Sequence, residues 1–274
     1  MSDPEALAAR AIEAYLAGRA ARLLHASRKR AVALVEPPAV DAPVVIKHYR
    51  PLSLRGRAKT IFRAPPHRRS HEAARRLAAL GVGTPRPLAL VERERGEAFL
   101  VTEAATDALP LDRFFLRRFT REAPLAFRRG FLAALADEIV RLHERSVYQA
   151  DLKTCNILVR EAEPSADAGA GAFAFLHVDL DDVRFDRPLS LRERLLNLAQ
   201  LHSSTPRAVT FAERLRFFHR VLGRDRLDAR AKRDLLRLLA VSARRGLVFF
   251  GFEGPLEQGW TPGDWATRPG TPRD

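Results

Sequence analysis

The sequence predicts an α+β chain of two lobes, a small β-rich lobe with one key helix followed by a larger, mainly helical lobe. Three observations predict this. Short runs rich in β-branched and apolar residues recur between residues 22 and 104, the pattern breaks at "TDALPLDRF" from Thr106, and beyond it Phe127, Phe131, Leu135, Ile139 and Leu142 form one helical stripe. A chain of 274 residues with 46% apolar side chains is large enough to fill such cores.

The elements follow in order. "MSDPEALAARAIEAYLAGRAARLL" begins with Asp3-Pro4, an ordinary helix start, and its apolar residues recur at helical spacing. Three strand-like pieces come next, "RLLHAS" at 22–27, "AVALVE" at 31–36 and "APVVIKHY" at 42–49. "SHEAARRLAALG" reads as a helix with Ser70 as N-cap, Ala73, Leu77 and Leu80 on one face and Gly81 at its C-terminal end. "PLALVER" and "EAFLVTEA" form two further strands around a polar turn. After the break a long helix precedes the strands "NILVR" and "FAFLHVD", which are separated by the loose turn "EAEPSADAGAG". Helical, arginine-rich sequence runs from Leu189 to Phe249, and the Pro- and Gly-rich end lacks a regular pattern. The expected division is an N-terminal helix at 1–20, a small lobe at 21–105, a large lobe at 106–253 and an irregular tail at 254–274.

A formal charge of +14 and a pI near 11.1 call for an anionic partner: a nucleotide, a phosphorylated glycolipid, an acidic membrane or nucleic acid. The surplus concentrates where Asp41 and Glu72 bracket an acid-free segment holding Lys47, Arg50, Arg55, Arg57, Lys59, Arg63, Arg68 and Arg69. Only 8% of residues are aromatic, and no basic stretch is interleaved with stacking rings, which disfavours nucleic acid. One cysteine, Cys155, excludes an internal disulfide and reads as a small buried residue in a reducing compartment. No apolar run approaches the roughly 18 residues of a membrane span, so the expectation is a cytoplasmic protein, at most peripheral at the inner membrane face.

The chemistry concentrates in "HERSVYQADLKTCNILVR", which sets Asp151, Lys153 and Asn156 between a helix and a short strand. Phosphoryl transfer needs a base at the attacking hydroxyl, cations on the phosphates and oxygen ligands for Mg²⁺. Asp151 suits the base, Lys153 the γ-phosphate and Asn156 the metal, with Asp179 of "FLHVDLDD" as second ligand on a strand end. Lys47, late in a strand, and Glu72, early in the next helix, suit a lysine on the α and β phosphates held by a glutamate. Each residue has a plainer reading: Lys47 as a strand lysine that blunts an edge, Glu72 as a helix-terminus charge, Asp151 and Asn156 as turn formers.

In this order and context the motifs resemble the protein-kinase-like superfamily and, within it, the lipopolysaccharide core kinases that phosphorylate Kdo or heptose. "QADLKTCNIL" is similar to the catalytic loop with Gln149 in place of histidine, "VVIK" to the lysine strand, "SHEAARRLAALGVGTPRPLAL" to the glutamate helix and "HVDLDD" to the metal aspartate. "SRKR" and "LLNLAQLHSS" add to the subfamily likeness, which spans roughly residues 20 to 205. The resemblance implies a bilobal protein-kinase-like fold, ATP and Mg²⁺ as cofactors, and an anionic glycolipid or sugar acceptor. Its site residues are then Asp151 and Lys153 for catalysis, Lys47, Glu72, Ser27, Arg28 and Glu103 for the nucleotide, and Asn156 and Asp179 for the metal. The turn "HASRKRAVA" has no glycine, so side chains such as Ser27 and Arg28, Lys29 or Arg30 stand in for a glycine-rich phosphate loop. Asp181 stands where a D-F-G motif has glycine, and 180–188 contain no Ser, Thr or Tyr to phosphorylate. That favours a small-molecule or glycan acceptor; the alternatives are an atypical protein kinase and a pseudokinase or basic nucleic-acid-binding module.

Overall fold

The structure, a computed structural model, describes residues 3–18, 21–51, 63–161, 173–223, 228–245, 250–251 and 254–255. Arg55, Arg57 and Lys59 of the basic segment, most of the turn after "NILVR" and most of the C-terminal tail lie outside these residues. The chain forms two compact units, Met1–Asp107 with Asp179–Val183, and Ala108–Val178 with Arg184–Asp274.

The first unit is an antiparallel sheet backed by helices. Helix α1 (Pro4–Leu16) starts where the Asp3 carboxylate accepts the Glu5 amide at 3.2 Å, with Pro4 in the first turn. Strands β1 (Ala21–Ala26), β2 (Arg30–Val35), β3 (Val44–Tyr49), β4 (Pro87–Glu92) and β5 (Ala98–Glu103) pair in the order β1-β2-β3-β5-β4. Alternation along each strand sorts side chains onto two faces. On one face Val35, Val44, Ile46, Phe99 and Val101 pack beneath Leu7, Ala8, Ala11 and Ile12 of α1. On the other, Lys47 and Tyr49 sit two residues apart on β3, with Ala98 and Leu100 beside them on β5.

Helix α2 (Pro66–Ala79) lies between β3 and β4 in sequence. It begins a full turn earlier than the sequence predicts: Pro65 is the N-cap, Pro66 occupies the first turn, and Ser70 is buried within the helix instead of capping it. Proline is well suited to a first helical turn because its missing N–H has no intrahelical acceptor there. Gly81 does follow the helix end, at φ +67°, the left-handed geometry that favours glycine after a C-cap.

In the second unit β6 (Leu109–Pro110), β7 (Ile157–Glu161) and β8 (Phe173–His177) form an antiparallel sheet in that order. The break expected at Thr106 contains a helix, α3 (Leu111–Arg118), too short for its period to stand out from sequence. Its Phe114 and Phe115 pack on Phe131 of α4 (Leu125–Glu144), Phe114 stacking at 4.4 Å between ring centroids. Helices α5 (Leu191–Ser204), α6 (Phe211–Val221) and α7 (Ala229–Arg245) complete the unit. Capping boxes open α5 through Ser190 and Glu193 and α6 through Thr210 and Glu213. Among the described residues no helix is long and apolar enough to cross a membrane.

Glu213 also takes both guanidinium branches of buried Arg128 at 2.7 Å, joining α6 to α4. Burial would raise this carboxyl, but Arg128 and the Thr210 cap outweigh it and draw it down to about 2. Glu213→Ala, which strands the arginine, is expected to lower stability by about 3–5 kcal/mol, read as an earlier urea midpoint.

Two histidines of this unit are held neutral. Burial, with Arg194 nearby, pushes His143 down to about 4, and burial with Arg214 does the same to His202. As pH falls below about 6.5 the unfolded chain takes up these protons while the folded one does not, so stability present above that pH is lost toward pH 4. Denaturation at pH 7 and pH 5 is expected to show a loss of roughly 1–2 kcal/mol per ring, above the range where carboxylates titrate.

Candidate active site

Within the first unit, the sheet face opposite α1 carries a network of charges. The Lys47 ammonium lies 2.7 Å from Asp179 Oδ1 and 2.7 Å from Asp181 Oδ1. Arg30, at the start of β2, donates to both Asp179 oxygens at 3.0 and 3.2 Å and to Asp181 Oδ2 at 2.7 Å. The Tyr49 hydroxyl donates to Asp181 Oδ1 at 2.7 Å, and Arg69 of α2 reaches the Asp181 carbonyl at 2.9 Å. Arg63 and Arg69 both hold Asp182, at 2.7 and 3.0 Å. The turn itself is unusual: Asp179 has φ 56° and ψ 60°, a left-handed conformation carried by a residue other than glycine.

These contacts set the electrostatics. Burial acting alone would raise the Asp179 carboxyl, but Lys47 and Arg30 outweigh it and hold it below the usual carboxylate range. Burial, reinforced by Asp181, raises the Tyr49 hydroxyl and keeps it a donor. Among the described residues no group of three or more His, Cys, Asp and Glu side chains forms a metal cage. Mg²⁺ does not need one, since one or two protein carboxylates commonly suffice when phosphates and water complete its octahedron. Asp179 and Asp181 of the first unit are hard oxygen donors of that kind.

The sequence paired Lys47 with Glu72, and the structure corrects this. Glu72 is 59% exposed and its partner is Arg75, at 3.9 Å on the same helix. The reason is helical phase: α2 buries His67, Ser70, Ala73, Ala74 and Leu77, and Glu72 falls on the opposite side. Of the nucleotide-side candidates, Ser27 closes its own turn, accepting from the Lys29 and Arg30 amides at 3.3 and 3.2 Å, and Arg28 is exposed. Glu103, the last residue of β5, forms an ion pair with Arg86. The basic residue of "SRKR" that enters the network is therefore Arg30.

The second unit holds Asp151, Lys153 and Asn156 close together. The Lys153 ammonium is 2.8 Å from the Asp151 carboxylate, and the Asn156 amide donates to the Asp151 carbonyl at 2.9 Å and to its carboxylate at 3.4 Å. Asp151 remains 42% exposed on its side chain, open to an incoming hydroxyl. Burial pushes the neighbouring Cys155 thiol up to about 12, which leaves it a packing residue.

Two supports of this loop escaped the sequence reading. The first is α5, whose Asn197, Gln200 and Ser204 share one face at positions i, i+3 and i+7. Asn197 donates to the Gln149 carbonyl at 2.8 Å and Gln200 to the Ala150 carbonyl. The Leu152 amide donates to Gln200 at 3.2 Å and the Thr154 amide to Ser204 at 3.0 Å. Asn197, Gln200 and Ser204, polar residues at helical spacing within "LLNLAQLHSS", were the available signal. The second is a buried chain of side chains: His177 lies 3.2 Å from Glu138 and 3.2 Å from Gln149, which donates to the Val178 carbonyl at 2.9 Å. Gln149 thus joins the loop to the end of β8 and to Val178, which follows it.

A sequence profile of the lipopolysaccharide kinase (Kdo/WaaP) family matches residues 55–221. No curated protein matches the chain by sequence. Among solved structures, WaaP in complex with acyl carrier protein is similar, with 25% identity over 82% of this chain and 86% of that chain and a TM-score of 0.61. The Rio2 kinase from Chaetomium thermophilum, in its ADP/Mg²⁺-phosphoaspartate complex, has 16% identity over 88% of this chain and 71% of its own, with a TM-score of 0.48. The kinase domain of Mycobacterium tuberculosis PknI has 19% identity over 76% of this chain and 75% of its own, with a TM-score of 0.37. The family match and the WaaP likeness identify a protein-kinase-like fold and a phosphotransferase.

Because Gln200 touches the loop of Asp151 only through its backbone, Gln200→Ala is expected to lower kcat of phosphotransfer by about 10- to 100-fold while leaving KM for the nucleotide within about twofold. Steady-state kinetics on protein with an unchanged circular dichroism spectrum check this.

Proposed function

The chain belongs to the lipopolysaccharide kinase (Kdo/WaaP) family, and on that premise we propose that it transfers the γ-phosphate of ATP to a sugar hydroxyl of a lipopolysaccharide core or related glycolipid. One observation carries the nucleotide half of this reading. Lys47 and Asp179, 132 positions apart in sequence, meet at 2.7 Å inside one unit, which supports a lysine and a metal carboxylate serving the same triphosphate. Bound Mg²⁺ would neutralise phosphate charge, with Asp179 as a carboxylate ligand, and Asn156 is carried over as a metal ligand from the family motif alone. Lys47 would hold the α and β phosphates. Asp151 would take the proton of the attacking hydroxyl, and Lys153, 2.8 Å from it, would stabilise negative charge on the transferred group.

The acceptor reading draws on the family and on charge. A surplus of +14 suits a phosphorylated, anionic glycolipid. The segment 180–188 has no residue that phosphorylation would order, which supports a site assembled without an activation switch. The WaaP relative is solved with acyl carrier protein.

Purified core glycolipid incubated with the protein, ATP and Mg²⁺ is expected to gain one phosphate by mass spectrometry. Asp151→Asn should reduce the rate by about 10²- to 10⁴-fold, the usual contribution of a positioned base. Label that enters polypeptide and not lipid would instead make this a protein kinase. Glycolipid of unchanged mass, with no Mg²⁺-dependent ATP binding, would sink the reading.

A further inference from the structure

We propose that Asp181, and not a helix glutamate, is the positioning residue that holds Lys47 in place for the nucleotide. This rests on the nucleotide reading given above and deepens it.

The geometry is specific to the "DLD" turn. Asp181 is only 14% exposed on its side chain, and each of its carboxylate oxygens is engaged: Oδ1 by Lys47 and Tyr49 at 2.7 Å each, Oδ2 by Arg30 at 2.7 Å. Its backbone is fixed as well, through the Arg69 bond to its carbonyl. A carboxylate held by three donors from two neighbouring strands, with its main chain tied by a helix residue, is rigid, and a rigid carboxylate is what a flexible lysine needs in order to keep one conformation. Tyr49 lies two residues from Lys47 on the same face of β3, so one strand carries both the lysine and the hydroxyl that steadies its partner. Glu72 offers Lys47 none of this, being turned to the solvent side of α2.

The charges give the second reason. Lys47 and Arg30 are matched by Asp179 and Asp181, two against two. Without Asp181, both cations would converge on Asp179, the carboxylate assigned to the metal. Asp181 therefore gives Lys47 an anchor that leaves it beside Asp179 without depending on it. This explains in physical terms why glycine is replaced at this position: the backbone freedom of glycine is given up for a fixed counter-charge.

The test is direct titration of each variant with Mg²⁺·ATP by calorimetry, alongside steady-state KM for ATP and for the acceptor. Asp181→Asn is expected to weaken Mg²⁺·ATP binding by about tenfold or more, the size of a lost charge-assisted contact, with acceptor KM within about twofold. Glu72→Gln is expected to bind as wild type does. In a Lys47→Met background Asp181→Asn should add little, because the two residues act as a pair; a purely structural role would give additive losses. If Asp181→Asn fails to fold, Tyr49→Phe reads the same contact with all charges kept, and weakening by about two- to fivefold is expected. Wild-type affinity in Asp181→Asn or Tyr49→Phe, or an equal loss in Glu72→Gln, overturns the assignment. Absence of Mg²⁺·ATP binding by the wild-type protein would instead overturn the nucleotide reading on which it stands.

Discussion

Two cations and two carboxylates sharing a half-buried space must balance, since an unmatched charge in such a place costs several kcal/mol. In this protein that constraint is met by Lys47, Arg30, Asp179 and Asp181, and much of the first unit is arranged around it. Strand β3 presents Lys47 and Tyr49 to one face because α1 buries the other through Val44 and Ile46. Strand β2 brings Arg30 because its register sets Arg30 opposite Tyr49. Helix α2 sends Arg69 to the Asp181 carbonyl. The apolar face thus fixes the backbone, and the backbone fixes which polar side chains can meet.

The catalytic loop obeys a different requirement. Its backbone turns sharply, so its amides and carbonyls lack ladder partners, and buried backbone groups without partners are costly. Helix α5 supplies the partners from Asn197, Gln200 and Ser204, all on one face. The Glu138, His177 and Gln149 chain adds a link to the end of β8, so Gln149 fills by an amide a position where the wider superfamily uses a ring. An amide serves because it both accepts from one neighbour and donates to the next. The result is an Asp151 whose main chain is tied while its carboxylate stays open.

The positions of chemistry-bearing residues were legible to the extent that they depend on local pattern. Asp151, Lys153 and Asn156 lie within six positions of one another, and a loop that short keeps them together in almost any fold. Lys47 was legible as a strand residue because β-branched neighbours surround it, whereas Asp179, expected on a strand end, lies two residues past the strand in a left-handed turn. Glu72 misled because it was chosen by its order in the motif, although the face of Ala73, Leu77 and Leu80 already turned it away. A helix that starts at Pro66 buries Ser70 and turns Glu72 outward, and residues 70 and 72 lie on different faces of any helix. Helix α3 was missed for a related reason, since eight residues beginning at Leu111 give barely two turns of periodicity.

By itself the sequence determined most element types, the apolar faces, the excess of positive charge and the clustering of Asp151, Lys153 and Asn156, all of which follow from composition and spacing along the chain. Only the tertiary structure decided which charges are partners. That Lys47 meets Asp181, that Arg30 and not Arg28 joins them, and that α5 braces the loop are facts about residues brought together from distant positions. Coulomb and hydrogen-bond energies fall off over a few ångströms, while sequence records only order along a chain that folds back on itself. Order along the chain therefore does not settle which carboxylate meets Lys47, and packing makes the choice.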